Sequence, residues 1–291
     1  MTQDRGVLYL CATPIGNLED MTLRALKVLG EVDLVAAEDT RQARKLFSHF
    51  DIHTPLTSYH DHNRRSKGPH LVNLLLEGKS IAVVTDAGMP GVSDPGEDLA
   101  VLAIGEGIRV IPIPGASASL SALVVSGLPS GRFCFEGFLP PRGKSRKERL
   151  KELKEEKRTM VFYESPHRLK STLTDLAGTF GNRRICVARE LTKYYEEVWR
   201  GSLEEALEKF EEQAPRGEFT LVLEGFAGSE GEAAGGQAEA CGIDELAALV
   251  LDFEKKGNSR KEAIREASRK AGIPKREVYS ALLAKKNQEA T

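Results

Sequence analysis

Short apolar runs alternate with longer amphipathic stretches through the first 225 residues of the chain. The apolar runs have the length of buried β-strands, and most end in a cluster of polar residues, Gly or Pro. Strands are predicted over residues 7–12, 33–37, 80–84, 109–113, 132–138, 159–163, 184–188 and 219–224. Helices are predicted over residues 22–29, 41–50, 68–77, 97–105, 117–125, 145–157, 167–180 and 203–213. This alternation predicts an α/β fold with sheets that are at least partly parallel.

Two interruptions of this pattern predict the domain organisation. The sequence SGLPSG at 126–131 precedes a renewed strand and helix pattern, so we expect one α/β lobe over 1–127 and a second over 128–226. Residues 227–242 are rich in Gly, Ala and Glu and have almost no large apolar side chains, which is typical of a flexible linker.

The remaining residues, 243–287, are predicted to form a small basic helical domain. Helical patterns cover 243–253, 259–271 and 275–284, with a turn at 272–274. Between residues 255 and 286 there are eleven Lys or Arg and three Glu, a local balance of +8. This charge favours contact with a nucleic acid, and a dimerisation or stabilising appendage is the alternative.

The rest of the composition excludes several classes of protein. No run approaches the ~18 consecutive apolar residues of a membrane span, and the first residues lack the features of a secretory signal. We therefore expect a cytoplasmic protein that does not enter a membrane. The four cysteines are far apart and form no CxxC pair, which argues against a disulfide framework or a thiolate zinc site.

Four segments rich in Gly, Pro or acidic residues follow predicted strands. They are TPIGN (13–17), EDTR (38–41), TDAGMPGVSDPG (85–96) and PGASAS (114–119). Ligands of open α/β sheets bind at the carboxyl ends of the strands, so all four segments are predicted to face one crevice. None matches the GxGxxG or P-loop patterns, so a dinucleotide or nucleoside triphosphate site is not supported.

Several residues of these segments also have structural interpretations. Asp94 suits a brace for the following Pro-Gly turn, and Ser117 suits a helix cap. An internal ion pair accounts for the acidic and basic residues at 38–41 almost as well as a functional role does. The HDH sequence at 60–62 offers two histidines without an identifiable third ligand, so no metal site is predicted.

Eight motifs occur in an order that resembles a known family. They are LYLCATPIGNLEDMTLRAL (8–26), AAEDTR (36–41), SYHDHN (58–63), VVTDAGMPGVSDPG (83–96), VIPIPGASASLSAL (110–123), FEGFLP (135–140), FYESPHR (162–168) and ARELTK (188–193). Together they resemble the ribosomal RNA small subunit methyltransferase I family, which belongs to the tetrapyrrole methylase superfamily. The chain departs from the family pattern at Gln42, where His is expected, at Arg64, where Glu is expected, and at 89–91, where Thr-Pro-Leu is expected. We assign no role to Gln42 or Arg64 on the sequence.

The resemblance implies an architecture and an activity. It implies two α/β lobes of the tetrapyrrole methylase type, with S-adenosylmethionine in the cleft between them and a small helical unit at the C-terminus. It also implies methyl transfer to the ribose 2′-hydroxyl of a cytidine in the decoding region of 16S rRNA, within the small ribosomal subunit, by a homodimer. Two alternatives stay open, a tetrapyrrole C-methyltransferase and a non-catalytic RNA-binding assembly factor.

The matched motifs also imply site residues. Those expected to bind the cofactor are Pro14, Asp86, Ala87, Gly88, Ser93, Asp94, Ser117, Ala118, Tyr163, Ala188 and Leu221. The candidate general bases are Asp39, His60 and Glu190. The candidate contacts to substrate phosphates are Arg41, Arg189 and Lys193, although structural ion pairs compete with each of these roles.

Overall fold

The computed structural model describes residues 5–211, 215–228 and 243–271, together with Val278 and Leu282. The chain divides into two compact units, Met1–Phe226 and Ala227–Thr291. The first unit contains two five-stranded sheets, which form its two lobes. No helix within the described residues has both the length and the apolar character needed to cross a bilayer.

The sheet of the first lobe is entirely parallel, with the strand order β3-β2-β4-β1-β5. Its strands are β1 (Val7–Cys11), β2 (Leu34–Ala37), β3 (Leu56–Ser58), β4 (Ile81–Val84) and β5 (Arg109–Ile113). Its helices are α1 (Leu23–Glu31), α2 (Thr40–His49), α3 (Arg64–Leu76) and α4 (Gly96–Gly105), with a short 3-10 helix at Leu18–Asp20.

Alternate residues of the central strand β4 point to opposite faces of this sheet. Ala82 and Val84 join a core with residues of α1 and α2, whereas Ile81 and Val83 join a core with residues of α3 and α4. Because helices cover both faces, all four β4 residues are buried, as expected for a parallel sheet.

The second lobe has a mixed sheet with the strand order β6-β7-β10-β8-β9. Its strands are β6 (Phe133–Phe138), β7 (Thr159–Glu164), β8 (Arg184–Arg189), β9 (Glu197–Ser202) and β10 (Phe219–Leu223). Only β6 and β7 are parallel, and the other pairs are antiparallel. The helices that follow its strands are α6 (Lys144–Leu153), α7 (Leu169–Phe180) and α8 (Leu203–Glu211), and they cover one face of the sheet.

Helix α5 (Ala118–Val125) joins the two lobes. It follows β5 of the first sheet, yet its residues Ala122 and Leu123 pack against Val161, Cys186 and Val222 of the second sheet. Its contacts therefore assign α5 to the second lobe, and the boundary between the lobes lies before α5. The sequence pattern predicts this boundary after residue 127.

The second unit contains the helices α9 (Ile243–Lys255) and α10 (Arg260–Ala271). Val250 packs against Ala263 and Ala267, and Val278 joins this small core. Both helices lie where the sequence pattern predicts them. The predicted linker beyond Gly228, the turn at 272–274 and the third helix lie outside the described residues, apart from Val278 and Leu282.

Candidate active-site cleft

A cleft of about 380 Å³ lies between the two lobes of the first unit. Its first-lobe side consists of residues that follow strands β1, β2 and β4, and its second-lobe side consists of residues from the ends of β6, β7, β8 and β10. The first-lobe residues, with the start of α5, are Ile15, Glu38, Thr85, Asp86, Ala87, Gly88, Met89, Val92, Ser93, Asp94, Ser117 and Ala118. All four Gly, Pro or acid-rich segments contribute, so the prediction that they face one crevice is confirmed.

The loop after β4 has a backbone that few residues other than Gly adopt. Gly88 and Gly91 have φ angles of +84° and +87°, and Ser93 has a φ angle of +67°. The Asp94 carboxylate stabilises this conformation, since Oδ1 accepts hydrogen bonds from Gly91 N and Gly96 N, each at 2.8 Å. Asp94 therefore braces the turn and also lines the cleft.

Hydrogen bonds also connect the loops that follow β2 and β4. Glu38 Oε2 accepts from Thr85 Oγ1 at 2.6 Å and from Asp86 N at 3.3 Å. Asp86 Oδ1 in turn accepts from Asp39 N at 3.1 Å. These contacts hold the carboxylates of Glu38 and Asp86 close together at the carboxyl ends of the neighbouring strands β2 and β4.

The cleft is lined by acidic side chains and by no Lys, Arg or His among the described residues. The acidic lining residues are Glu38, Asp86, Asp94, Glu164 and Glu218. Burial raises the pKa of Asp86, and the nearby Glu38 carboxylate raises it further. Burial also raises the pKa of Asp94, although its three backbone hydrogen bonds oppose this rise. Such a cleft attracts a cation and disfavours a phosphate.

The second-lobe side supplies an aromatic surface. The Tyr163 ring lies 4.9 Å from the Phe135 ring and 5.7 Å from the Phe138 ring, between centroids. Phe138 is 53% exposed and lines the cleft with Tyr163 and Ala188. Aromatic faces of this kind suit a flat heterocycle.

Leu221 does not line the cleft, in contrast to the expectation from the sequence. Its side chain packs in the core beneath α6, α7 and α8, with Leu139 and Phe162. Because successive residues of a strand point to opposite faces, the preceding residue, Thr220, lines the cleft in its place.

A second cavity, which we call the adjoining crevice, has a volume of about 430 Å³ and opens beside the cleft. The two share the lining residues Ile15, Glu38, Thr85, Asp86, Ala87 and Glu218. Pro14, expected near the cofactor, lines the adjoining crevice and not the cleft.

The three candidate bases lie in different environments, and none of them lines the cleft. Asp39 lines the adjoining crevice and caps α2, and its bidentate hydrogen bonds with Arg41 lower its pKa to about 2. Burial raises the pKa of Glu190, but hydrogen bonds from Glu218 N and Lys193 Nζ outweigh burial and lower it. Both carboxylates are therefore weak proton acceptors.

His60 follows the edge strand β3 and lines neither cavity. Its Nδ1 is buried without a hydrogen-bond partner in the described part of the chain, and its Nε2 lies 3.4 Å from Asn63 Nδ2. The order of the sheet separates β3 from β4 by one strand.

The three candidate cations all have acidic or carbonyl partners. Arg41 is bound to Asp39 and its side chain is 83% exposed. Arg189 donates to Arg216 O at 2.7 Å and lies 3.6 Å from Glu197. Lys193 lines the adjoining crevice and donates to Glu190 and Glu218 at 3.0 Å each.

The structure adds a buried acid that the sequence did not single out. Glu164 lines the cleft with a side chain only 1% exposed, and it accepts hydrogen bonds from Thr172 Oγ1 at 2.5 Å and Ser165 N at 2.8 Å. Arg168 Nε lies 3.4 Å from the same carboxylate. The FYESPHR motif contains Glu164, and an acid at the end of an apolar strand is the signal that identifies it.

The cleft fits S-adenosylmethionine, the cofactor that the resemblance implies. Its volume lies in the range of small-molecule sites, its lining is acidic, and the sulfonium and ammonium groups of this cofactor are positive. The backbone near Gly88 leaves room for close approach, and Tyr163 offers a face for an adenine ring. Among the described residues, no group of three or more His, Cys, Asp or Glu is arranged to hold a metal ion.

Comparison with known proteins identifies the family of this chain. The family model for tetrapyrrole (corrin/porphyrin) methylases matches residues 7–207. A protein of Halalkalibacterium halodurans called ribosomal RNA small subunit methyltransferase I is 51% identical over 279 residues, covering 95% of this chain and 94% of its own length. A protein of the same name from Thermotoga maritima is 50% identical over 220 residues, which cover 76% of this chain and 99% of that protein.

Solved structures support the fold. A uroporphyrin-III C-methyltransferase from Thermus thermophilus, 23% identical, covers 78% of this chain and 98% of its own with a TM-score of 0.55. The chain therefore belongs to the tetrapyrrole methylase family, among the proteins called ribosomal RNA small subunit methyltransferase I, and is a methyltransferase that uses S-adenosylmethionine.

Proposed function

We propose that this protein methylates the ribose 2′-hydroxyl of a cytidine in the decoding region of small-subunit ribosomal RNA. The name shared by relatives 50–51% identical supports this class of substrate. The observation that best supports S-adenosylmethionine as the methyl donor is the acidic lining of the cleft. This lining has no cationic side chain among its described residues.

The residues proposed to hold the cofactor lie on both sides of the cleft. They are Asp86, Ala87, Gly88, Ser93, Asp94, Ser117, Ala118, Tyr163, Ala188 and Thr220 in the cleft, with Pro14 beside it. When bound, S-adenosylmethionine supplies a methyl group that is activated by its positive sulfur. The loop around Gly88 and Asp94, which the hydrogen bonds of Asp94 hold in place, would orient this methyl group. Alignment of reacting groups contributes ~7 kcal/mol or more in favourable cases.

The proton of the acceptor hydroxyl requires an acceptor on this chain. Asp86 lies where the cleft and the adjoining crevice meet, because it lines both. Its Oδ1 is fixed by Asp39 N, and its Oδ2 has no hydrogen-bond partner in the part of the chain that the structure describes. We place the role of proton acceptor on Asp86 Oδ2, in preference to Asp39, His60 and Glu190.

The cations near the site have a secondary role in this proposal. Lys193 holds Glu190 and Glu218 and has a third ammonium hydrogen for a substrate phosphate. Arg41 is largely exposed and also lies near the crevice residue Asp39, so RNA phosphates can reach it. Arg189 is held by Arg216 O and Glu197, so we expect its contact with a substrate phosphate to be weaker than those of Lys193 and Arg41.

Methyl transfer to defined acceptors tests the proposal. Purified protein would be incubated with S-adenosylmethionine labelled on the methyl group and with small ribosomal subunits that lack the modification. We expect label in the RNA of the subunit and none in uroporphyrinogen III, the control acceptor for a tetrapyrrole methylase. Label in the tetrapyrrole alone would overturn the RNA substrate, and no transfer to either acceptor by protein that binds the cofactor would overturn the activity.

A further inference from the structure

In the part of the chain that the structure describes, several polar side chains of the adjoining crevice are already hydrogen-bonded, and the amide of Gln42 keeps donors that are unused. Asp39 is bound to Arg41, and Lys193 is bound to Glu190 and Glu218. On the exposed face of α2, Lys45 Nζ lies 3.2 Å from the side-chain amide of Gln42. Both Gln42 and Lys45 line the crevice.

The contact with Lys45 fixes which way the Gln42 amide points. An ammonium group can only donate hydrogen bonds, so the amide atom facing Lys45 is the oxygen, Oε1. The amide nitrogen, Nε2, is then the atom left over, and neither of its hydrogens has a partner among the described residues. Gln42 thus offers two donors to whatever occupies the crevice.

The other walls of the crevice suit a flat, apolar-faced group. The apolar lining residues are Pro14, Ile15, Leu18, Ala37, Ala43, Leu46, Val84 and Ala87. The volume of about 430 Å³ lies in the range of small-molecule sites. The remaining carboxylates, Glu38 and Asp86, stand on the side that the crevice shares with the cleft.

We propose that the adjoining crevice is a pyrimidine-binding site that receives the base of the acceptor nucleoside, and that Gln42 Nε2 donates to the acceptor edge of that base. Cytosine presents two adjacent acceptors, N3 and O2, to a pair of amide hydrogens. Uracil carries a hydrogen on N3, which faces the same donors unfavourably. This inference rests on the proposed function for the reaction itself, and it adds the site and the residue that select the base.

The test compares two acceptors that differ only in the base. Small subunits would be assembled with cytidine or with uridine at the mapped acceptor position, and the kcat/KM for methyl transfer would be measured for each. Wild-type protein should prefer cytidine by about 10-fold or more, in line with the discrimination of a good amide-to-base contact. Gln42→Ala should lose most of this preference, and Gln42→Glu should lower transfer to cytidine further, because a carboxylate presents acceptors to acceptors.

Two controls make the outcome specific. Ser48→Ala lies on α2 outside the crevice and should keep the cytidine preference. S-adenosylmethionine affinity, measured by calorimetry, should be the same for wild-type protein and Gln42→Ala, because Gln42 does not line the cleft. An unchanged preference in Gln42→Ala overturns this inference alone, whereas wild-type protein that methylates neither subunit overturns the proposed function.

Discussion

Thr13 and Gly88 exchange two backbone hydrogen bonds, with Thr13 N donating to Gly88 O at 2.9 Å and Gly88 N donating to Thr13 O at 3.1 Å. This pair joins the loop after β1 to the loop after β4. Gly88 makes it with a φ angle of +84°, and a Cβ atom there would lie 3.4 Å from Ile15 Cγ2. The geometry of the cleft therefore depends on a glycine at this position.

Gly88→Ala should weaken both the loop and cofactor binding. A side chain at this φ angle costs about 1–2 kcal/mol of stability, and the resulting shift moves backbone that lines the cleft. We expect a loss of this size in urea unfolding and a fall of at least about tenfold in S-adenosylmethionine affinity, which corresponds to ~1.4 kcal/mol.

Gly181→Ala is the matched control for this variant. Gly181 also has a positive φ angle, +72°, but it follows α7 and lines neither cavity. It should lose similar stability and keep its affinity for the cofactor. Equal losses of affinity in both variants would show that Gly88 acts only through stability.

Asp94→Ala should disrupt the loop more than Asp94→Asn does. Alanine removes the acceptor for Gly91 N and Gly96 N, and each unpaired buried group costs about 1–3 kcal/mol. Asparagine keeps one oxygen for these two donors and loses the acceptor for Val92 N, which is the longer contact at 3.2 Å. Calorimetry with S-adenosylmethionine should rank affinity as wild type, Asp94→Asn, then Asp94→Ala. Both variants lack the negative charge, so equal affinities for Asp94→Asn and Asp94→Ala would show that the charge of Asp94, and not its bracing contacts, sets affinity.

Asp86→Asn should slow methyl transfer and change its dependence on pH. Burial and the Glu38 carboxylate raise the pKa of Asp86, so acidification should protonate it at a pH above the ordinary aspartate value of 3.8. The wild-type rate should fall as pH drops through this raised pKa, because only the carboxylate accepts a proton. The asparagine variant should lose about 100-fold in kcat, and this acidic decline should disappear. If the pH profiles of kcat for the two proteins are parallel, another group accepts the proton.

Truncation after Gly228 should separate cofactor binding from RNA binding. Both cavities lie within the first unit, and the Thermotoga maritima relative matches 220 residues of this chain, about the length of that unit. Cofactor affinity should therefore stay nearly unchanged. Binding to small subunits should weaken, and its salt dependence should fall by about one unit of log-log slope for each phosphate that the truncated protein no longer neutralises.

Sedimentation of the same two proteins tests the alternative role of this segment. A dimerisation role predicts that the full-length protein sediments as a dimer and the truncated protein as a monomer. It also predicts that truncation leaves the salt slope of subunit binding unchanged. The homodimer implied by the family resemblance stays a prediction until this measurement is made. An unchanged salt slope would rule out RNA binding by the basic helical domain.

The sequence predicts most of the fold because its central strands are apolar and distinct. The bounds of β5 match the prediction, but β3 and β9 are missed. Both are edge strands, and the three residues of β3 and the mixed sequence EVWRGS of β9 do not form the apolar run of a buried strand.

The site is predicted less completely, because contacts between distant residues have no local pattern. Every residue of β10 is buried, so the sequence could not show that Thr220 and not Leu221 faces the cleft. Asp39 pairs with Arg41, and Glu190 pairs with Lys193. The sequence spacing of these residues is compatible both with an ion pair and with a role of the acid as a general base. His60 lies in SYHDHN, one of the motifs that resemble the family, yet it follows an edge strand and lines neither cavity.

The proposed activity is methyl transfer to a cytidine ribose in small-subunit RNA, and mass mapping of that RNA tests it most directly. Unmodified subunits would be treated with the protein and S-adenosylmethionine, digested to oligonucleotides and nucleosides, and compared with subunits treated without the protein. We predict one added methyl group in a decoding-region fragment, recovered as 2′-O-methylcytidine. Methylation on a base, on another nucleoside or outside the small-subunit RNA would contradict this claim.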